Sequence, residues 1–469
     1  MKEMRRKMRV VGTLIIAAFI ALAGWFGVTV WDQGTVWASS AYNTRLRKTT
    51  SQMGSITDRN GNLLATTNEN GQRVYLQNEL ARRALSQTVG DTRGMSGTGV
   101  ETYYSATLLD LSGSLIDRLR ELVTGAEHKG SSVQLTVDAE LTAYIASVFP
   151  EGYEGAVCVV NYKTGEILAM VSKPDYDPVL VEQGDVDSAA DTAFLNRCLQ
   201  GRYTPGSVFK IVTLTSALEN DPNVIDQTFT CSAVWDFGSG SVNCMSGRTS
   251  HGEQSLTKAF ANSCNVTFGK LAYQLGASRL GATAERFGFN ENFKFGDFVV
   301  YNSSFPTGTG SVNELVWSGV GQSTVLVTPL HMTLITASIA NGGVMMRPKL
   351  IKQITSTLGI PEATLQSEAY RRVMSEETAQ TVKGCMRAAV RSGTASRGAI
   401  EGLAICGKTG SAETSDNKGV PTNAWYTAFI DDARYPYAVS VVIEKGGAGG
   451  QSAAELAAKA LKKAVTTVR

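Results

Sequence analysis

Gly155-Ala-Val-Cys-Val-Val-Asn-Tyr-Lys-Thr-Gly-Glu-Ile-Leu-Ala-Met-Val171 decides the fold of this chain. Two apolar runs of β-forming residues flank a short turn, which predicts a hairpin that opens an antiparallel sheet. Residues 174–390 have a largely helical pattern. Strands return at Leu403–Ile405, Trp425–Ile430 and Tyr437–Ile443, before a closing helix over about 452–465. The pattern predicts an α+β domain whose antiparallel sheet, flanked by helices, is completed by the C-terminal strands.

The sequence that precedes this domain is different in character. From residue 32 to about 133 it is polar and interrupted by Gly and Asn, with one strand-like unit at Gly54–Ala65. Within that unit, Asn60-Gly61 is typical of a hairpin turn. We therefore predict four parts, which are a tail over 1–9, a membrane anchor over 10–31, a smaller N-terminal pedestal or dimerisation-like domain over 32–150, and the main domain over 151–469.

The N-terminus has the pattern of a membrane anchor. An uncharged stretch from Val10 to Trp31 is about 22 residues long, which is enough to cross a bilayer. A cleaved signal peptide has a shorter apolar core, so we expect an uncleaved single-pass anchor in the cell membrane. Basic residues before the span predict a cytoplasmic N-terminus and an extracytoplasmic main domain; they are Lys2, Arg5, Arg6, Lys7 and Arg9.

Composition excludes several classes of protein. The chain has 469 residues, is 43% hydrophobic and 18% charged, and carries a net charge of +2, which argues against nucleic acid as a partner. The three histidines, at positions 128, 251 and 331, have no metal-ligand spacing with another His or with a Cys pair. We therefore expect no metal and no cofactor, and neither a zinc enzyme nor a Ser-His-Asp hydrolase.

Seven cysteines leave at least one thiol without an intrachain disulfide partner. Cys231 and Cys244 flank a short Gly- and Ser-rich loop and could form a disulfide, although free thiols are the alternative. The others lie in apolar or motif contexts that are typical of buried small residues.

Ser207-Val-Phe-Lys210 offers a nucleophile and a base. The apolar residues that follow Pro205 and Gly206 predict a buried helix that begins near Ser207, and positions i and i+3 of a helix are neighbours. A lysine amine whose pKa is lowered by burial can take the serine proton, which indicates acyl transfer. The alternative is a helix-start serine with a surface lysine, and that alternative also applies to two further copies, Ser255–Lys258 and Ser415–Lys418.

Two further motifs select the first copy. Lys163-Thr-Gly165 fits the turn of the hairpin, whereas Lys408-Thr-Gly410 closes an apolar strand far downstream. Ser-x-Asn occurs four times, at 241, 263, 311 and 415, and only Ser263-Cys-Asn265 lies between two helix-like runs. The ordered set is therefore Ser207-x-x-Lys210, Ser263-x-Asn265 and Lys408-Thr-Gly410.

This ordered set resembles the motifs of the penicillin-recognising acyltransferases, and nearly the whole chain beyond the anchor resembles a class B penicillin-binding protein. The resemblance is to a compact member without C-terminal repeats. Val208 stands where the family usually has Thr, and Met53 replaces the usual arginine before Gly54. Further similar stretches include Gly165–Pro178, Gly321–Leu330, Ala340–Gly343 and Gly393–Ala395.

The resemblance implies a catalytic role for five residues. Ser207 attacks the carbonyl between two D-alanines of a stem peptide, and neutral Lys210 accepts its proton. Lys408 adds a positive field that favours the uncharged Lys210 amine. Ser263 relays a proton to the leaving nitrogen, and Asn265 holds Lys210 and a substrate amide.

The resemblance also implies a substrate-binding strand. Lys408, Thr409, Gly410 and Ser411 suit the terminal carboxylate of the stem peptide, or its counterpart in a β-lactam. The backbone N–H groups of Ser207 and Ser411 form the oxyanion hole.

The implied activity is a peptidoglycan D,D-transpeptidase that β-lactams inhibit by acylation. Its partners are stem peptides of the lipid-linked precursor polymer, the membrane, and a glycosyltransferase of the shape, elongation, division and sporulation (SEDS) family. The alternatives are a D,D-carboxypeptidase or a β-lactamase of the same fold, and a β-lactam sensor or binding protein.

Overall fold

The computed structural model describes residues 2–38, 53–110, 130–187, 190, 192–244, 250–293, 295, 296, 298–306, 308, 310–356, 359–413 and 421–468. Its strands, in chain order, are β1 Ile56–Thr57, β2 Leu63–Thr67, β3 Arg73–Tyr75, β4 Ser132–Leu135, β5 Gly155–Asn161, β6 Ile167–Lys173, β7 Thr228–Cys231, β8 Val234–Asp236, β9 Ser241–Asn243, β10 Gly252–Ser255, β11 Val344–Met346, β12 Ile351–Thr355, β13 Pro361–Thr364, β14 Ala369–Arg372, β15 Ile405–Ala412, β16 Asn423–Ile430 and β17 Tyr437–Ile443.

The described α-helices are Lys2–Ala38, Glu79–Ala84, Ser86–Val89, Val100–Tyr103, Ser105–Leu108, Ala139–Ser147, Pro178–Gln183, Lys210–Asn220, Leu256–Ala261, Asn265–Phe287, Val312–Gly319, Pro329–Ala340, Glu376–Ser392 and Ser452–Thr467. Short 3₁₀ turns lie at Gly206–Phe209, Pro222–Asp226 and Ser396–Gly398.

Strands from both ends of the main domain form one antiparallel sheet in the order β15-β16-β17-β5-β6. Every residue of β16 and β17 is buried, so both faces of the sheet are covered. The helices Pro329–Ala340 and Ser452–Thr467 pack on these strands. The α+β prediction is confirmed, including the hairpin and the return of the C-terminal strands.

The edge strand β15 is longer than the sequence predicts. The predicted strand ends at Ile405, before the Lys-Thr-Gly triplet, but the structure continues β15 to Ala412. Register pairing with β16 runs the full length of the strand, with Lys408 opposite Thr427 and Ser411 opposite Ala424. Lys408-Thr-Gly410 therefore lies inside the edge strand.

A second sheet joins early and late parts of the chain, in the order β13-β12-β4-β1-β2-β3. The predicted turn at Asn60-Gly61 connects β1 to β2, which pair antiparallel with Ile56 opposite Ala65. Two strands from residues 351–364 extend this sheet, since β12 pairs with β4 and β13 pairs with β12. The expectation of a largely helical 174–390 thus missed short strands, whose three to five residues are too few to show a period-2 pattern.

Among the helices that the structure describes, one is long and apolar enough to cross a membrane. Within Lys2–Ala38, the segment Val10–Thr29 has 20 residues and a mean hydropathy of 2.2, and its side chains are not buried in the protein. This agrees with the prediction of a single apolar segment over 10–31.

Candidate active site

A buried helix carries the first motif. The 3₁₀ turn Gly206–Phe209 leads directly into the helix Lys210–Asn220, so Ser207 and Lys210 lie on one face, as the three-residue spacing predicts. The Ser207 side chain is partly exposed, whereas Lys210 is 0% exposed. The Lys210 Nζ lies 2.9 Å from the Ser207 Oγ. This distance allows direct proton transfer.

The Ser-x-Asn motif completes the surroundings of the Lys210 amine. The Nζ donates to the carbonyl oxygen of Ser263 at 2.7 Å and to the Asn265 Oδ1 at 2.6 Å, and it lies 3.3 Å from the Ser263 Oγ. Ser263 has a φ of +57°, a left-handed conformation that is uncommon for serine. The Asn265 Nδ2 donates to the Asn243 carbonyl at 2.9 Å, which fixes the orientation of the amide.

The edge strand β15 brings the third motif to the same place. The Lys408 side chain is 0% exposed, and its Nζ donates to the Ser263 Oγ at 2.9 Å and to the Thr409 carbonyl at 2.9 Å. The Thr409 hydroxyl bonds with that of Thr394 at 2.7 Å. Ser411 is exposed, and its Oγ accepts from the Gly449 N–H at 3.2 Å. The structure thus brings together the predicted site residues, with Ser263 between the two lysines.

Burial sets the charge of both lysines. Desolvation lowers the pKa of the Lys210 amine to about 8, although the Cys264 and Cys244 thiols act in the opposite direction. Desolvation, reinforced by the charge of Lys210, lowers the pKa of Lys408 well below its ordinary value. In the described part of the chain no carboxylate compensates either amine, so the two amines compete for charge.

The nucleophile turn lies directly against β15. Gly206 has a φ of +57°, and a Cβ at this position would lie 2.5 Å from the Ser411 carbonyl oxygen. Only glycine therefore lets the backbone of the turn approach that of the strand. This close approach holds the turn that carries Ser207 against the segment of β15 that carries Ser411.

Gly206→Ala is expected to destabilise the protein by about 1–3 kcal/mol and to slow acylation, because the backbone of the turn must move away from β15. Gly276→Ala is the matched control, since Gly276 has a φ of +71° but nothing within 4 Å of a built Cβ. Denaturant unfolding and acylation rates check both variants. Equal effects of the two substitutions would show that the close approach is unimportant.

A polar cluster that the sequence did not predict anchors the segment before Ser207. The Tyr203 hydroxyl and the Arg197 Nε both donate to the Glu444 Oε1 at 2.8 Å. The Trp425 indole N–H donates to the Thr204 carbonyl at 3.1 Å. No local pattern marks these residues, because each bond joins residues 197–204 to residues more than 200 positions further along the chain. The one sequence feature that could have pointed to this cluster is the acidic residue Glu444 directly after the apolar strand β17.

Three of the other copies of the motifs that the structure describes serve as helix caps or turns. Ser255 caps the helix Leu256–Ala261, with its Oγ accepting from the Lys258 N–H, and Ser311 caps Val312–Gly319. Lys163-Thr-Gly165 lies in the turn between β5 and β6. The copy at 415–418 lies outside the described residues.

His331 has a structural role. It is buried, and its two ring nitrogens bond with the Ser303 Oγ at 2.7 Å and the Phe287 carbonyl at 2.8 Å. Burial lowers the pKa of the imidazole to about 4.

All seven cysteines are described, and each is a buried free thiol. The possible disulfide between Cys231 and Cys244 is not formed, since the two sulfurs are 3.8 Å apart. The structure instead groups these two residues with His251 and Cys264, and all four ligand atoms lie within 4.8 Å of one another. Sequence spacing missed this group because its members come from separate segments rather than from one short motif.

Comparison with known proteins gives a consistent result. The family described as penicillin binding protein transpeptidase domain matches residues 155–462. The chain is 32% identical, over 424 residues and 84% of each protein, to the peptidoglycan D,D-transpeptidase PbpA of Mycolicibacterium smegmatis.

Solved structures give the same picture. The ceftriaxone acyl-enzyme complex of penicillin-binding protein A from M. tuberculosis has a TM-score of 0.81 and 28% identity, over 90% of this chain and all of that one. A D,D-transpeptidase domain from Eggerthella lenta has a TM-score of 0.75 and 27% identity, over 89% of this chain and 99% of the other.

Proposed function

The chain belongs to the family of penicillin-binding protein transpeptidases, and we propose that Ser207 is the nucleophile with which it cross-links peptidoglycan. It is a peptidoglycan D,D-transpeptidase that β-lactams acylate. One observation carries the assignment of Ser207. Its Oγ lies 2.9 Å from a wholly buried amine whose other contacts are Ser263 and Asn265.

Acylation begins when the neutral Lys210 amine takes the proton of Ser207. The Oγ attacks the carbonyl carbon between the two terminal D-alanines of a donor stem peptide. Ser263 contacts both amines, so its hydroxyl relays a proton to the nitrogen of the departing D-alanine. The product is an ester of Ser207 and a free D-alanine, and the amine of a second stem peptide then attacks the ester to form the cross-link.

Substrate binding sets the protonation states. Before substrate binds, the two desolvated amines have no carboxylate partner among the described residues, and the charge of Lys210 disfavours that of Lys408. A substrate carboxylate beside Lys408, Thr409 and Ser411 restores the charge of Lys408. The charged Lys408 then favours the neutral form of Lys210, so the base becomes active when substrate is bound.

The backbone supplies the oxyanion hole. We take the N–H groups of Ser207 and Ser411 as its two donors, and the close approach of Gly206 to the Ser411 carbonyl supports this choice because it holds the two residues near each other. Each such donor lowers the barrier by about 3 kcal/mol in enzymes where one has been removed. Gly410 supports this geometry, since a Cβ there would lie 2.7 Å from the Pro205 carbonyl oxygen.

The experiment that tests transpeptidation combines adduct lifetime with product analysis. The full-length protein in detergent is labelled with fluorescent penicillin, and we expect an adduct that persists for many minutes. Loss of the adduct within seconds would indicate a β-lactamase. Addition of stem peptides that carry an acceptor amine should give cross-linked dimers. Release of D-alanine without dimers would indicate a carboxypeptidase. The absence of any turnover of the stem peptides would indicate a sensor.

The second-order rate constant for acylation, which reports the free enzyme, should rise with pH through a midpoint near 8 and then level off, because only the neutral Lys210 amine accepts the serine proton. Below that pKa the ammonium form predominates and the rate falls about tenfold per pH unit. Stopped-flow labelling from pH 6 to 10, corrected for spontaneous β-lactam hydrolysis, checks this profile. A midpoint near 10.4, the ordinary value for lysine, would contradict the burial effect.

The apolar helix is proposed to anchor the protein with residues 1–9 in the cytoplasm and the catalytic domain outside. The basic residues that precede Val10 support this orientation. We also keep the division into a pedestal over 32–150 and a transpeptidase domain over 151–469. A SEDS-family glycosyltransferase that supplies the nascent polymer is the proposed membrane partner.

A further inference from the structure

Four potential metal ligands converge beside the Ser-x-Asn loop, although no sequence motif marks them. Cys231 is the last residue of β7, Cys244 follows β9, His251 precedes β10, and Cys264 lies between Ser263 and Asn265. The three thiols are 0–2% exposed. Three Cys and one His around one point form a ligand set that zinc takes in closed structural sites.

Three of the six distances between the ligand atoms are close to those expected around a tetrahedral zinc ion. With Zn–S bonds of about 2.3 Å and a Zn–N bond of about 2.0 Å, neighbouring sulfurs lie about 3.8 Å apart and a sulfur and a nitrogen about 3.5 Å apart. The observed Sγ–Sγ distances are 3.8 Å for Cys231 and Cys244 and 3.7 Å for Cys244 and Cys264. The Cys231 Sγ lies 3.4 Å from the His251 Nδ1. A disulfide needs about 2.05 Å, so the thiols are not arranged as a bonded pair.

The backbone around the group is fixed independently of the ligands. Cys231 pairs with Gly252 across β7 and β10, and the Ser250 Oγ donates to the Cys231 carbonyl at 2.7 Å, which holds His251 beside Cys231. The Cys244 N–H donates to the Ala233 carbonyl at 2.8 Å.

The fourth ligand is held by the start of a helix. The Cys264 Sγ caps the helix Asn265–Phe287 and accepts from the Thr267 N–H at 3.4 Å and from its hydroxyl at 3.3 Å. Such donors stabilise a thiolate, which is the form that binds metal. Val266, Ala259 and Trp235 pack around the group and give it an apolar shell.

We infer that Cys231, Cys244, His251 and Cys264 bind a zinc ion that holds the catalytic loop in place. Each thiol releases its proton to solvent on binding, and the imidazole binds through its neutral Nδ1. Residues next to the ligands reach the active site directly, since Ser263 and Asn265 flank Cys264 and the Asn243 carbonyl accepts from Asn265. The ion therefore fixes the positions of Ser263 and Asn265, which contact the Lys210 amine. This positioning role rests on the proposed function of Lys210.

Metal content tests the site. The full-length protein, expressed in zinc-containing medium and purified in detergent without chelator, is expected to hold about one zinc per chain by mass spectrometry. X-ray absorption should show about three sulfurs near 2.3 Å and one nitrogen near 2.0 Å, a readout that needs no variant. Metal-free protein, or a disulfide found among Cys231, Cys244 and Cys264, would overturn the inference.

Variants test the ligands. Cys244→Ser and His251→Ala should each lose zinc, whereas Cys385→Ser, which alters a buried thiol outside the group, should retain it. Zinc retained in the first two variants would overturn the ligand assignment.

Chelation tests the positioning role. Removal of zinc should slow penicillin acylation about tenfold or more, and added zinc should restore the rate. An unchanged rate after chelation would overturn the positioning role. Zinc binding in a protein whose adduct is not on Ser207 would instead contradict the proposed function alone.

Discussion

Ser207→Ala is expected to abolish covalent labelling by penicillin and to stop cross-linking. The substitution removes the oxygen that forms the ester, and no other hydroxyl among the described residues lies within 3 Å of the Lys210 amine. Loss of a serine nucleophile elsewhere costs about 10⁶-fold in turnover, so we expect the rate to fall to background. Gel fluorescence after overnight labelling measures the effect.

Ser255→Ala is the matched control for this substitution. Ser255 begins the same Ser-x-x-Lys pattern but caps a helix, so its removal should cost about 1 kcal/mol of stability and leave labelling intact. Labelling that survives Ser207→Ala, or that disappears in Ser255→Ala while the protein stays folded, would contradict the assignment of the nucleophile.

Lys210→Met is expected to slow acylation by about 10²- to 10⁴-fold, because it removes the general base but retains a side chain of similar length. The rate that remains should also lose its rise toward pH 8, since the titrating amine is gone. If the variant still binds β-lactam noncovalently, its substrate-binding residues are intact and the loss is specific to the acylation step. Rapid-quench labelling across the pH range measures both effects.

Lys258→Met provides the control for the base. Lys258 is exposed and belongs to the competing copy of the motif, so its removal should change neither the rate nor the pH profile. A Lys210→Met variant that retains the full rate and the normal profile would show that another group takes the Ser207 proton.

The sequence was sufficient where short-range patterns carry the information. The hairpin at 155–171, the strand Tyr437–Ile443 and the helical neighbourhood of Ser207 and Lys210 all follow from local periodicity. The order of the three motifs then separated Ser263 and Lys408 from their copies. These motifs meet in space because the fold places the helix that begins at Lys210, the loop at Ser263 and the strand β15 side by side.

Long-range contacts were not predictable in the same way. The extension of β15 through Lys408 depends on pairing with β16, and burial of a lysine in a strand opposes its ordinary preference for the surface. The joining of residues 351–364 to the N-terminal sheet, and the grouping of Cys231, Cys244, His251 and Cys264, depend on pairing between distant segments. Spacing along the chain contains no signal for either.

The most direct test of the central claim is the location of the adduct in the unaltered protein. Trypsin cleaves after Arg202 and Lys210, so residues 203–210 form one peptide whose only serine is Ser207. After labelling of the full-length protein with penicillin, tandem mass spectrometry is expected to find the added mass on this peptide, with fragment ions that place it on Ser207. An adduct on any other peptide, such as one that contains Ser255 or Ser263, would contradict the account.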